Sequence, residues 1–150
     1  MFVHMLKLES RNPNFVEYTR YKIGRNKFMK WVGFEITKIE PGYIEGELNF
    51  SEIHEQQNGW LHGGVTSAIL DMAEGFAAYT LAEDGQQVFT VEAKVSYFNP
   101  GIADKFYTRG YVVKPGKMFH FCEGELYYIK DGKEIIVAKG SSTMAVKSGT

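Results

Sequence analysis

Three consecutive residues near the middle of the chain, His62, Gly63 and Gly64, stand immediately before a long segment with helical character. The first N–H groups of a helix have no partner inside the helix, and the helix dipole places positive charge beside them. Glycines carry no side chain, so a carbonyl group can approach these N–H groups and be polarised by them. The alternative is that the glycine pair only forms a flexible turn leading into the helix.

Asp71 is the candidate carboxylate of the same helix. Residues three or four positions apart share a helical face, and Asp71 shares its face with small residues only. These are Gly64, Ser67, Ala68, Gly75 and Ala78. A carboxylate among such residues would occupy a narrow, partly dehydrated groove that a slender ligand can enter. Periodicity alone leaves open the alternative that Asp71 faces solvent.

Other reactive side chains fit structural roles better. Cys122 lies in an alternating β-type segment, where a thiol is typically a small core residue, and no GxSxG motif is present. The remaining histidines show no metal-ligand spacing, so no metal site is predicted. Glu74 either shares the groove of Asp71 or pairs with a neighbouring lysine, which we favour. Tyr97 and Phe98 are interpreted as core or interface residues, with an acyl-pocket wall as the alternative.

The elements that must position these residues are one helix and six strands. The helix is predicted over residues 65–82, with an apolar stripe formed by Val65, Ile69, Met72, Phe76 and Tyr79 or Leu81. Strands are predicted at 33–40, 43–50, 87–100, 104–114, 117–130 and 134–146. The first two form a hairpin about Pro41-Gly42. The last four are predicted to form an antiparallel meander through Pro100-Gly101, Pro115-Gly116 and Asp131-Gly132. Two short helical pieces precede them, interrupted at Gly24.

One helix and six strands share a core most economically when a curved antiparallel sheet wraps around the helix, an α+β architecture. We therefore expect a single domain over residues 1–150, with 1–30 as an N-terminal helical extension. The formal net charge of −1 offers no field for nucleic acid, and no stretch is apolar enough to span a membrane. The single cysteine and the lack of a secretory signal indicate a cytoplasmic protein.

A resemblance to a known family rests on the segment 58–64, Asn-Gly-Trp-Leu-His-Gly-Gly, followed nine residues after His62 by Asp71. This spacing resembles the hotdog-fold acyl-CoA thioesterases of the phenylacetic-acid-degradation (PaaI-like) group. Residues 90–100 resemble the central strand of that group and 113–117 its next hairpin. The resemblance extends over roughly residues 30–146 and implies the hotdog fold, a curved antiparallel sheet wrapped around one long central helix.

The resemblance also implies residue roles. Asp71 would act as nucleophile or as general base for water, attacking a thioester carbonyl held by the Gly63 N–H, with Gly64 alongside. His62 would brace the loop, and Thr90 would hold the carboxylate or the water. In that family the carboxylate and the His-Gly-Gly turn of one site come from different subunits, so a homodimer or homotetramer is expected. CoA would be part of the substrate and no cofactor is expected.

Three further positions follow from the same comparison. The family often has asparagine six residues before the histidine, where this chain has Gln56, and Asn58 is a neighbour that could take over its role. Lys114 and Lys117 flank a hairpin turn and could hold the phosphates of CoA, although such lysines are more often simply solvated. The leading hypothesis is an acyl-CoA thioesterase. The alternative is a non-catalytic acyl-CoA or lipid-binding hotdog module, and an acyl-thioester dehydratase is a weaker third.

Overall fold

The computed structural model describes residues 7–149. Two short helices, α1 (Phe15–Arg25) and α2 (Lys27–Val32), precede a hairpin of β1 (Phe34–Glu40) and β2 (Tyr43–Asn49). The long helix α3 (Gly63–Tyr79) follows, and then β3 (Gln86–Tyr97), β4 (Lys105–Pro115), β5 (Phe119–Lys130) and β6 (Lys133–Ser148). The six strands form one antiparallel sheet around α3, so the predicted hotdog fold is confirmed. Residues 1–6 of the predicted N-terminal extension lie outside the described residues.

The strand order is β1-β2-β4-β5-β6-β3, which corrects the predicted four-strand meander. Only β4, β5 and β6 follow one another, while β3 pairs with β6 at the edge of the sheet. The Pro100-Gly101 dipeptide reverses the chain, but it lies in the connection 98–104 and not in a hairpin turn. That connection carries β4 into the middle of the sheet, where Phe106 is completely buried between neighbouring strands.

A row of glycines lets α3 lie close against the sheet. Gly110, Gly124 and Gly140 are direct neighbours on β4, β5 and β6 and face the helix. A Cβ atom on Gly110 would lie 2.5 Å from the backbone of Ala73, a distance that real Cβ contacts do not show. Because these positions lack side chains, the helix backbone packs directly on the strands.

The predicted apolar stripe of α3 is confirmed at its centre. Ile69, Met72 and Phe76 are buried against the sheet, while Val65 and Tyr79 at its two ends are only half buried. This packing fixes the rotation of α3, because the opposite face must then point away from the sheet. Asp71 lies outside the buried stripe, on the side of α3 that Thr90 of β3 contacts.

The interruption of the N-terminal helices is at Asn26 and not at Gly24, which lies inside α1. Asn26 leaves the helical conformation at φ −79° and ψ 94°, and its side-chain oxygen accepts the Met29 N–H at 2.9 Å. The chain leaves the helix at Asn26 because the Asn26 side chain caps α2, whereas Gly24 has no side chain to form a cap. No helix of residues 7–149 is both long enough and apolar enough to cross a bilayer.

Candidate active site

The beginning of α3 leaves a single backbone N–H unused. The His62 side chain caps the helix, since its Nδ1 accepts the Gly64 N–H at 2.8 Å. The His62 carbonyl accepts the N–H groups of Val65 and Thr66 at 3.0 and 3.2 Å. Among the described residues nothing accepts the Gly63 N–H, so this group is free to bind a ligand. Because Nδ1 acts as an acceptor, the imidazole is the neutral tautomer with its proton on Nε2.

The peptide between Gly63 and Gly64 is held at both of its ends. Its N–H donates to His62 Nδ1, and its carbonyl oxygen accepts a hydrogen bond from the Tyr97 hydroxyl at 2.7 Å. Tyr97 is the last residue of β3 and lies on the sheet face towards α3. The sheet therefore contacts the very turn that carries the free N–H.

Asp71 lies about two helical turns after Gly63 on α3. It is half buried and is anchored to the sheet. The Thr90 hydroxyl on β3 donates to Asp71 Oδ1 at 2.7 Å, and it also contacts the Met144 sulfur at 3.4 Å. Within residues 7–149 no donor occupies Asp71 Oδ2. The carboxylate is thus oriented through one oxygen and available through the other.

A cavity of about 160 Å³ opens beside Asp71. Its walls come from α3, β3, β6 and the break between α1 and α2, and they combine apolar with polar side chains. They are formed by Asn26, Asp71, Met72, Gly75, Phe76, Tyr79, Val88, Thr90 and Met144. An apolar cavity of roughly 150 Å³ is large enough to hold benzene. This cavity therefore has room for a short chain or a single ring.

A second cavity, of about 350 Å³, opens beside Gly63. Gln56, Trp60, Tyr97 and Phe98 contribute to its rim together with the loop that follows β3. Asp71 is not among its lining residues, and Gly63 does not line the cavity beside Asp71. The two candidate groups thus open into different cavities of one chain.

The spacing along α3 explains this separation. Asp71 follows Gly63 by eight residues on one continuous helix, which places them about 12 Å apart along the axis. A carboxylate and an N–H that act on one carbonyl must both come within about 3 Å of it. One chain therefore cannot bring the two groups to the same carbonyl.

The predicted water-positioning residue, Gln56, lines the cavity beside Gly63, but its amide oxygen is engaged. It accepts the Asn58 N–H within its own loop, and the Gln56 N–H donates to the Trp60 carbonyl at 2.8 Å. The amide NH₂ of Gln56 makes no hydrogen bond within residues 7–149 and can donate to a ligand. The Asn58 side chain does not line either cavity.

Lys114 and Lys117 lie apart from both cavities. They are exposed on either side of the turn between β4 and β5, and neither lines the cavity beside Asp71 or the one beside Gly63. Within one chain they are not brought to the site. Their role towards CoA phosphates stays a prediction.

The interpretation of Glu74 is wrong. Glu74 points into the core and is 1% exposed, against the glycines of β5 and β6, and it pairs with no lysine among the described residues. Its Oε1 has no hydrogen-bond partner there. Burial raises the pKa of Glu74 to about 7, with a smaller contribution from Asp71, while the nearby Ser142 hydroxyl opposes the rise. The glycines at 124 and 140 leave the space that the Glu74 carboxyl occupies.

The small-residue face around Asp71 is largely as predicted. Gly64, Ser67, Ala68 and Gly75 are exposed or half buried, but Ala78 is fully buried in the core. Cys122 is a buried core residue as predicted, and burial raises the pKa of its thiol. No cluster of three or more metal-ligating side chains exists in residues 7–149.

Two residues of the site were not identified from the sequence as such. Asn26 was seen only as part of a helical segment, although an asparagine before a helical run is a capping signal. Tyr97 was assigned to packing, and no local pattern could show that its hydroxyl reaches Gly63, because that contact joins residues 34 positions apart.

Comparison with known proteins identifies the family of the chain. The sequence signature of the Thioesterase superfamily matches residues 58–135, which is more than half of the chain. The chain is 28% identical over 109 residues to acyl-coenzyme A thioesterase 13 of Homo sapiens, covering 72% of this chain and 76% of that protein. A crystal structure of a thioesterase family protein from Silicibacter pomeroyi has 33% identity and a TM-score of 0.87, covering 90% of this chain and 99% of that one.

The chain belongs to the Thioesterase superfamily. The predicted enzyme class, thioester hydrolase, is confirmed at the level of that family. The PaaI protein of E. coli, from the phenylacetic acid degradation operon, shares the fold with a TM-score of 0.82 at 17% identity, over 94% of this chain and 99% of that one.

Proposed function

We propose that the chain hydrolyses acyl-CoA thioesters at a site shared between two copies, with Asp71 from one copy and the Gly63 N–H from the other. The observation that carries this proposal is the free Gly63 N–H in the first turn of a helix whose oriented carboxylate, Asp71, lies about 12 Å further along. In the proposed dimer, each Asp71 carboxylate acts with the Gly63 N–H of the other copy, because the N–H of its own chain lies too far away.

The edge strand β3 is the surface through which a second copy would be added. It is 12 residues long, pairs only with β6 among the described residues, and exposes Phe89 and Val91 at 56% and 58%. A long exposed edge with apolar side chains is a template for pairing with another strand. A twofold axis through β3 would pair it antiparallel with its copy, bringing the Thr90 half of one strand opposite the Tyr97 half of the other.

In the proposed reaction the Gly63 N–H donates to the thioester oxygen, and Asp71 attacks the carbonyl carbon or activates a water for that attack. The negative charge that develops on the oxygen is stabilised by the N–H and the helix dipole. The carbon–sulfur bond breaks, CoA leaves as its thiolate and takes up a proton, and water supplies the hydroxyl of the released acid. A thioester is already activated for this step, so no cofactor is required in the proposal.

The test replaces Gly63 with proline, because this change removes the N–H and little else. Proline is favoured at the first position of a helix, and His62, at φ −64° and ψ 134°, has the conformation that a residue before proline prefers. A Cβ at Gly63 would lie 3.5 Å from Tyr97, an ordinary contact. Gly63→Ala is the matched control, since it adds a Cβ and keeps the N–H.

We expect Gly63→Pro to lower kcat by roughly 100-fold or more relative to Gly63→Ala, the usual effect of losing one oxyanion donor, because both variants add a Cβ and only proline removes the N–H. Asp71→Asn keeps the acceptor for Thr90 and should also lower kcat by at least about 100-fold. Thiol release from short-chain and aromatic acyl-CoA substrates measures all three. Equal activity of Gly63→Pro and Gly63→Ala would refute the proposed role of the N–H.

The same assay separates the proposal from a non-catalytic acyl-CoA-binding module. Such a module would bind acyl-CoA and be protected from thermal unfolding by it, yet release no thiol. If the wild-type protein is protected by acyl-CoA but releases no thiol, the proposed hydrolysis is wrong and the chain only binds acyl-CoA.

A further inference from the structure

We infer that Tyr97 is a positioning residue for the oxyanion site: its hydroxyl clamps the Gly63–Gly64 peptide and so fixes the direction of the neighbouring Gly63 N–H. This inference rests on the proposed function. It means that the sheet, through Tyr97, helps to orient the N–H group that α3 supplies.

The first turn of α3 needs such a clamp. Gly63 and Gly64 have no side chains, so sterics restrict their backbone dihedrals less than those of any other residue pair. Oxyanion stabilisation depends on donors that are already aimed before the charge develops. A turn that rocks between conformations would aim the Gly63 N–H only part of the time.

The structure holds this turn from two sides. His62 Nδ1 accepts the N–H of the Gly63–Gly64 peptide, and the Tyr97 hydroxyl donates to its carbonyl at 2.7 Å. The two contacts lie at opposite ends of one rigid peptide plane, so together they prevent it from rotating. Because α3 begins at Gly63, the Ser67 N–H also donates to this carbonyl within the helix, and the Tyr97 hydroxyl is the partner that ties the peptide to the sheet.

The backbone that carries Tyr97 is itself fixed. The Phe98 N–H donates to the Val137 carbonyl at 2.8 Å, and the Asn99 side-chain amide donates to the Ile136 carbonyl at 2.8 Å. Tyr97 pairs in register with Ala138 of β6. The clamp therefore extends from ordered sheet and not from a loop.

Packing in the core of its own chain does not account for the orientation of Tyr97. The side chain is 53% exposed and is not part of the hydrophobic core, yet its hydroxyl points inward to the start of α3. The ring lies within 3.6 Å of the place where a Gly63 Cβ would stand, so it also forms the wall of the cavity beside Gly63.

The test is Tyr97→Phe, which removes the hydroxyl and keeps the ring. We expect kcat to fall about 10-fold with KM changed less than about twofold, because the loss affects charge stabilisation in the transition state and not substrate binding. Tyr111→Phe is the matched control, since it removes a hydroxyl that contacts Glu123 on the outer face of the sheet. It should leave both constants unchanged.

A measurement that does not depend on turnover accompanies the kinetics. Hydrogen exchange of the Gly64 amide, followed by NMR, should be faster in Tyr97→Phe than in the wild type and unchanged in Tyr111→Phe, because the peptide is free to rock. Asp71→Asn is assayed in the same series. If Asp71→Asn is inactive while Tyr97→Phe matches the wild type in kcat and in Gly64 exchange, the inference about Tyr97 is overturned and the proposed function stands. If Asp71→Asn is fully active, the proposed function fails, whatever the exchange rate shows about the clamp.

Discussion

The Thr90 hydroxyl donates a hydrogen bond of 2.7 Å to Asp71 Oδ1, which joins the edge strand of the sheet to the carboxylate of the central helix. This bond orients the Asp71 carboxylate through Oδ1, and Oδ2 has no hydrogen-bond donor within residues 7–149. Thr90→Val removes the hydroxyl at constant shape. We expect kcat to fall about 10-fold, as for the loss of one hydrogen bond to a charged group, whereas Thr90→Ser should remain near the wild type. Steady-state thiol release decides this, and a fully active Thr90→Val would show that Asp71 needs no such partner.

Gly75 is expected to keep the cavity beside Asp71 open at the expense of helix stability. It lies in the interior of α3, and the nearest atom to an added Cβ is the Met144 methyl carbon at 3.8 Å, so alanine fits without a clash. Gly75→Ala should increase the free energy of unfolding by about 0.5 to 1 kcal/mol, since alanine is the better helix former. It should also narrow the cavity, so activity towards benzoyl-CoA should fall more than activity towards acetyl-CoA.

Gly24→Ala is the control for this pair of effects. Gly24 lies in α1, and an added Cβ there meets no atom within 4 Å. Urea denaturation should show a gain in stability for Gly24→Ala, and the ratio of benzoyl-CoA to acetyl-CoA turnover should not change. An unchanged ratio in Gly75→Ala as well would show that this cavity does not receive the acyl group.

Glu74 should make the stability of the fold depend on pH. Its pKa in the folded protein is about 7, above its ordinary value of 4.5, mainly because of burial. The folded state therefore binds the proton more tightly, and its contribution to stability is complete below about pH 4.5 and is lost as the pH rises through 7. Glu74→Gln removes this dependence by placing a neutral group of the same shape among the glycines.

Urea denaturation at pH 5.5 and pH 8.5 measures the effect. The free energy of unfolding of Glu74→Gln minus that of the wild type should be larger at pH 8.5 than at pH 5.5. The expected increase is on the order of 2 kcal/mol, from the size of the pKa shift. The same difference at both pH values would mean that the Glu74 carboxyl is not held in its protonated form by the core.

Local geometry made part of this molecule predictable. Helix spacing is a short-range property, so the sequence was sufficient to place Asp71 on a small-residue face and Gly63 at the start of the helix. The strand segments alternate over a few residues and were also located correctly. The pairings β1–β2, β4–β5 and β5–β6 were predicted as well. The pairings β3–β6 and β2–β4 were not, because the position of β3 beside β6 depends on how β4 fills the centre of the sheet.

Glu74 and Tyr97 show most clearly which contacts could not be predicted from the sequence alone. The burial of Glu74 depends on the glycines at 110, 124 and 140, which come together only when three strands pair in the correct register. The contact of Tyr97 with Gly63 depends on the same assembly. Both are relations between distant parts of the chain, and neither leaves a pattern in its own neighbourhood.

The sharing of one site by two copies is tested most directly by mixing two inactive variants. Asp71→Asn and Gly63→Pro are produced together with different tags, and the mixed dimers are isolated through both tags. Each mixed dimer contains one site with both groups intact and one site that lacks both. It should therefore show about half of the wild-type kcat per dimer, although each parent dimer is inactive. Mixed dimers that are as inactive as their parents would contradict the shared site, because they would show that Asp71 and Gly63 must come from the same chain.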